Sequence, residues 1–272
     1  MFRHAICNET FADWPLDRAC GFAAECGYTG LEIAPFTLGD RPTALSAAER
    51  STIRRTVERA GLEVIGLHWL LAKTEGLHVT HPDAQVRRRT TEYLADLARL
   101  SADLGGTILV FGSPKQRSLT GGVDAATAID HLRGVCEGLI PTLDVTGTLL
   151  ALEPLTTAET DVLTTAAETC RLIETVDSPF VRLHLDVKAM SSEDESIPDV
   201  IRRSHRHLVH FHANDANLQG PGFGDIDFRP IFKALEEVAY RGWVSVEVFD
   251  LSPGIERLVR ESLVNMLEAE SA

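Results

Sequence analysis

The sequence predicts one α/β domain spanning residues 1–272, built as a closed (β/α)8 TIM barrel. Short apolar runs alternate with stretches of helical period eight times along the chain. A length of 272 residues is ordinary for such a barrel. No G-x-G-x-x-G segment follows the first apolar run, as an open dinucleotide-binding sheet would require.

The first strand is expected in "HAICNETF", followed by a helix in "PLDRACGFAAECGYTG", whose apolar residues recur near i, i+3 and i+4 before a glycine stop. "LEIAPF" is the second strand. "LSAAERSTIRRTVERAG" is a helix opened by Ser46 with Glu49 three residues on, the spacing of a capping box. Strand "LEVIGLHWLL" leads to helix "DAQVRRRTTEYLADLARLSADLGG", and strand "TILVFGS" to helix "AIDHLRGVCEGLIPTLDVTG". "TLLALEPL" precedes "TAAETCRLIETV", and "VRLHLDVKAM" precedes "IPDVIRRSHRH". "LVHFHAND" precedes "FRPIFKALEEVAYRG", and "WVSVEVFD" leads into the last helix, "GIERLVRESLVNMLEA". No linker or low-complexity stretch interrupts the series.

Composition narrows the function classes. Hydrophobic residues make up 44% of the chain and charged residues 24%, enough for a large core. The net charge of −14 argues against nucleic acid as a partner, and the run Arg87–Arg89 reads as a solvated helix face. Five cysteines without a C-x-x-C argue against a disulfide framework or a zinc knuckle. No apolar run approaches the roughly 20 residues that span a bilayer, and "MFRHAICNETF" lacks a signal-peptide apolar region. A reduced cytoplasmic protein without membrane contact is the expectation.

In such barrels the reactive residues stand at the C-terminal ends of the strands. Glu153 ends strand five, Asp186 strand six, His212 strand seven and Glu247 strand eight. Three carboxylates crowded into a partly dry mouth repel one another, and a divalent cation removes the conflict. Glu, Asp, His and Glu form an O3N set that suits Mn2+ first, with Mg2+ or Co2+ as alternatives. Two residues earlier on each strand lie Ala151, His184, His210 and Ser245, which alternation points inward. His184 and His210 are candidates to orient the ligands or reach substrate, or are ordinary satisfied interior residues. Glu9, Glu32, His68 and Trp69 stand near the ends of strands one to three as candidate ligand contacts. Trp69, Phe36 and Trp14 offer rings for stacking.

On "ALEP", "LHLD", "HANDANLQGPGFGDIDF" and "GWVSVEVFD" the chain resembles the xylose isomerase-like TIM barrels, a superfamily of sugar isomerases and epimerases. It is most similar to the branch of ketose 3-epimerases, inosose dehydratases and hydroxypyruvate isomerases, over nearly its full length. The resemblance implies that Glu153, Asp186, His212 and Glu247 are the metal quartet and that Glu159 binds substrate. It also implies dimers or tetramers. Two positions depart from the pattern. Ala189 stands where the epimerases carry a histidine, and Leu218 where they carry an arginine. Lys188 is the candidate to replace the missing cation. DNA endonuclease IV belongs to the same superfamily and adds His68 as a candidate ligand, but the acidic charge opposes a DNA substrate.

The expected activity is that of a divalent-metal-dependent epimerase or isomerase of a sugar, keto-sugar or keto-glycoside. Glu153 and Glu247 would be its proton carriers, acting through a metal-stabilised enediolate. The alternative is a metal-dependent lyase or dehydratase acting on an inosose or 3-keto-glycoside.

Overall fold

The computed structural model describes residues 2–272. Eight parallel strands close into a barrel in chain order, β1 beside β2 through to β8 beside β1. They are β1 (Arg3–Cys7), β2 (Gly30–Ile33), β3 (Glu63–Leu67), β4 (Ile108–Phe111), β5 (Leu149–Leu152), β6 (Val181–Asp186), β7 (Leu208–Ala213) and β8 (Trp243–Val246). The enclosing helices are α1 (Leu16–Cys26), α2 (Ala47–Arg59), α3 (Ala84–Leu104), α4 (Ala125–Thr146), α5 (Ala166–Val176), α6 (Val187–Met190), α7 (Ile197–Ser204), α8 (Phe228–Glu237) and α9 (Ile255–Glu270). No helix among the described residues is long and apolar enough to cross a membrane.

Local chemistry sets the helix boundaries. The capping box of α2 is formed: Ser46 Oγ accepts from Glu49 N, and Glu49 Oε2 accepts from Ser46 N at 2.7 Å. Asp124 caps α4 by accepting from Thr127 N, so this helix begins three residues before the expected "AIDHLRG" start. "VRLHLDVKAM" is not one long strand. Asp186 Oδ1 accepts from Ala189 N at 2.8 Å and turns Val187–Met190 into a helical turn. "HAICNETF" likewise leaves the sheet after Cys7, and Asn8–Phe11 form a 3-10 turn.

The large apolar core lies between sheet and helices, where Leu31, Ile33, Leu109, Phe111, Leu183 and Phe211 face outward from the barrel. The barrel interior has two layers. Its lower layer is apolar and includes Ala5, Ile65 and Trp243 beside Ile108, Val110 and Ala151. Gly30 lies in this layer because a Cβ there would come within 2.9 Å of Ile65, Trp243 and Ala5. The upper layer is polar. A register shift between Leu183 and His184 sets His184 opposite His210 and Asp186 opposite His212. A second shift, between Leu31 and Glu32, sets Glu32 opposite Gly66. The two irregularities help gather acids and imidazoles at the C-terminal mouth.

Candidate active site

The strand ends bring Glu153, Asp186 and His212 together, with His184, so that one donor atom of each lies within 4.8 Å of the others. Glu247 joins through His212, whose Nδ1 is 3.1 Å from Glu247 Oε2 and 4.0 Å from Asp186 Oδ2. The Asp186 carboxylate is held from both ends, since Oδ2 accepts from Asn214 Nδ2 at 2.6 Å and Oδ1 from Ala189 N. Trp69 Nε1 donates to Glu247 Oε1 at 2.7 Å.

The other ring nitrogen of His212, Nε2, is 3.2 Å from Glu32 Oε2. A carboxylate there holds the Nε2 proton, so that Nδ1 is the ring nitrogen turned toward Asp186 and Glu247, the orientation a metal-binding imidazole needs. Burial and the nearby charges of Glu247 and Asp186 push Glu153 up to about 8. Burial also raises Asp186, with Glu247 adding to the shift. Burial would raise Glu247 as well, but His212 outweighs it and holds that carboxyl below its usual range. Three buried carboxylates and one oriented imidazole, with an acid forced toward neutrality, make a donor set that fits a hard divalent cation.

A pocket of about 420 Å³ opens above this group. Glu153 and Glu247 reach it from the floor, and Trp69, Phe249, Glu159 and Lys188 stand in its wall. Trp69 and Phe249 stack with ring centres 5.9 Å apart. Lys188 Nζ donates to Glu159 Oε1 at 2.7 Å and lies 4.5 Å from the centre of the Phe249 ring. Its pKa is raised: burial opposes the charge, but Asp186 and Glu159 outweigh it.

The remaining candidates lie elsewhere. His184 and His210 are fully buried and do not line the pocket. His184 stacks edge-on against His212, ring centres 4.1 Å apart, with Nε2 3.9 Å from Glu153 Oε1. His210 Nε2 donates to Glu32 Oε2 at 2.8 Å. His68 and Glu9 pair at 2.6 Å beside Glu247, outside the pocket lining. Trp14 packs on Phe11 and Phe22, while Phe36 packs on Trp69. Ala189 is buried in α6, and Leu218 is exposed on the loop after β7, where its carbonyl accepts from Phe249 N and Asp250 N.

Arg117 escaped the reading of the sequence. It is completely buried, donating through Nη1 to Glu153 O at 2.6 Å and through Nη2 to Leu163 O at 3.2 Å. Burial lowers its pKa to about 10. An arginine in a rim loop carries no local mark that distinguishes it from a solvated one.

A closed parallel barrel with a buried carboxylate–imidazole cluster under a pocket at its C-terminal face defines the architecture of a (β/α)8 enzyme. Residues 20–268 match the xylose isomerase-like TIM barrel family, and the chain belongs to it. The chain is 31% identical over 233 residues to D-psicose 3-epimerase of Agrobacterium fabrum, covering 83% of this chain and 76% of that protein. It is 30% identical over 102 residues to 3-dehydro-D-guloside 4-epimerase of Escherichia coli, covering 38% of this chain and 39% of that protein. The fold superposes with a TM-score of 0.88 on the crystal structure of D-psicose 3-epimerase with D-tagatose from Clostridium cellulolyticum H10, at 20% identity and 99% of each chain. It superposes with a TM-score of 0.86 on the apo 3-keto-D-glucoside 4-epimerase of E. coli, at 19% identity over 98% of this chain and 100% of that one.

Proposed function

We propose that the protein is a divalent-metal-dependent epimerase or isomerase of a keto-sugar or keto-glycoside. The observation that carries this reading is that two buried acids on different strands, Glu153 after β5 and Glu247 after β8, face one sugar-sized pocket. Similarity to sugar 3- and 4-epimerases supports it.

Glu153, Asp186, Glu247 and Nδ1 of His212 would hold the cation, with Mn2+ the first candidate and Mg2+ or Co2+ the alternatives. When bound, the cation supplies positive charge that stabilises an enediolate developing on the substrate. Glu247, whose Oε1 is fixed by the Trp69 indole at the edge of the pocket, would take a proton from a substrate carbon. Glu153, on the opposite wall of the same pocket, would return one. Return from the opposite face inverts the carbon, whereas return to the neighbouring carbon isomerises. Glu159 and Lys188 would grip substrate hydroxyls, with Lys188 supplying the cation that Ala189 and Leu218 do not. Trp69 orients Glu247 through its indole N–H and offers its ring to a sugar face. His68, paired with Glu9, supports Glu247 from below.

The test is turnover of Mn2+-loaded Glu153→Gln and Glu247→Gln on keto-sugars and keto-glycosides in D2O, followed by NMR. Each substitution is expected to lower kcat/KM on the order of 10³-fold, the scale of a lost general acid or base. Mn2+ should remain measurably bound. Deuterium at a substrate carbon without elimination supports epimerisation, and loss of water instead supports a dehydratase. Near-wild-type turnover in either variant would falsify the two-acid mechanism.

A further inference from the structure

We infer that the substrate carries an oxyanion, a carboxylate or a phosphate, at the end remote from the reacting carbon, and that Lys73 and Lys115 grip it. This rests on the sugar-epimerase reading and names its substrate class.

Lysine occurs at only four positions in the chain, 73, 115, 188 and 233, and the rest of its 26 basic residues are arginines. Three of the four lysines line the pocket above Glu153 and Glu247. The ion pairs of the outer surface are made by arginines, as in Arg54–Glu58, Arg202–Glu237 and Arg257–Glu261. Lysine is thus concentrated where substrate enters.

The three lysines divide into two kinds. Lys188 is 8% exposed and its charge is taken up by Glu159 and Asp186. Lys73 and Lys115 are exposed at the rim, and among the described residues neither has a carboxylate within ion-pair distance. Their positive charge therefore faces the pocket mouth uncancelled. In a chain of net charge −14, two unpaired cations side by side at a pocket rim, away from the acids of the floor, mark a place where an anionic group can be met.

Both lysines are also held in place. Lys73 has φ +59°, and Ser113, two residues before Lys115, has φ +43°, left-handed conformations that cost energy in non-glycine residues. Trp69, at the mouth, shares this conformation with φ +51°. Lys73 Nζ lies 4.2 Å from the Phe36 ring centre, which restricts its side chain. Lys115 sits in the 3-10 turn Pro114–Gln116, and Ser113 Oγ accepts from Leu71 N, tying the two lysine loops together.

The test compares binding of sorbitol, D-gluconate and sorbitol 6-phosphate to the full chain in Mn2+ buffer, read by calorimetry and by fluorescence of Trp69 in the pocket wall. It needs no turnover, so it can fail separately from the epimerase reading. Two partly solvated charge contacts should favour an anionic ligand over sorbitol by roughly tenfold. The advantage should shrink with added salt and disappear in Lys73→Gln/Lys115→Gln. A preference for gluconate assigns a sugar acid, and a preference for sorbitol 6-phosphate assigns a sugar phosphate. Equal binding of all three overturns the inference. So does an anion preference that survives in the double variant, because the anion would then be meeting the metal.

Discussion

The two halves of the barrel mouth carry the same residue types but balance their charges differently. On the β1–β3 side, each acid is within hydrogen-bond distance of an imidazole. Glu32 meets Nε2 of both His210 and His212, and Glu9 meets Nε2 of His68. Burial would raise Glu32, but His210 and His212 outweigh it and hold the carboxyl well below its usual range. Burial opposes a charge on His68 as well. Cys7 beside it is pushed up to about 11 by burial and so stays a neutral thiol, which leaves Glu9 to hold the imidazole proton. On the β5–β8 side, Glu153, Asp186 and Glu247 share one imidazole, and Glu153 is driven toward neutrality. The acids of the first half are thus matched by imidazoles, those of Glu32 supplied across the barrel by β7. The second has an excess of acid that a cation would satisfy. Balance of charge, rather than the mere presence of acids, separates structural polarity from a candidate binding site.

Stability should expose the contrast most strongly. Glu32→Gln breaks a buried charged network and is expected to cost about 3–5 kcal/mol in denaturant unfolding of the metal-free protein. Glu153→Gln, by contrast, removes a charge the metal-free fold resists, and should leave stability unchanged or higher above pH 8. If the two cost the same, the proposed asymmetry of the halves is wrong.

Arg117→Met should cost about 2–3 kcal/mol, because it leaves the carbonyls of Glu153 and Leu163 unpaired in a dry environment. Thermal unfolding checks this. An effect within error would show that water replaces the guanidinium.

The pH dependence follows from Glu153. Its folded pKa of about 8 exceeds the ordinary 4.5, so the native metal-free state binds the extra proton between these values. The stabilisation is fully present below 4.5 and is lost as pH rises through about 8. Metal binding near pH 7 should accordingly release about one proton, measured as a buffer-dependent heat in calorimetry. Release independent of pH between 6 and 9 would remove Glu153 from the ligand set.

Trp69→Phe should have the smallest effect. It deletes the hydrogen bond to Glu247 Oε1 while keeping the stack on Phe249, for a loss of about 1 kcal/mol in kcat/KM, roughly fivefold.

Much of this molecule could be read without coordinates. The eight-fold alternation is local, because periods of two and 3.6 residues are written into neighbouring positions, and a parallel α/β chain of this length has few ways to close. The same logic located Glu153, Asp186, His212 and Glu247, since strand ends of a barrel share one rim. Boundaries were harder where a side chain competes with the ladder: Asp186 ends β6 by capping the turn that follows. His184 and His210 were identified as inward-facing, but their complete burial against His212 was not legible.

The residue sequence by itself determined the barrel, the acidic and imidazole tips of its last four strands, and the absence of the two family residues at Ala189 and Leu218. The tertiary structure alone decided which imidazole serves which acid, that Arg117 lies under Glu153, and that Lys73, Lys115 and Lys188 share one pocket. The physical reason is range. A period is set by chain neighbours, whereas the partners of Glu32 lie 178 and 180 residues away and meet it only after closure and two register shifts bring them together.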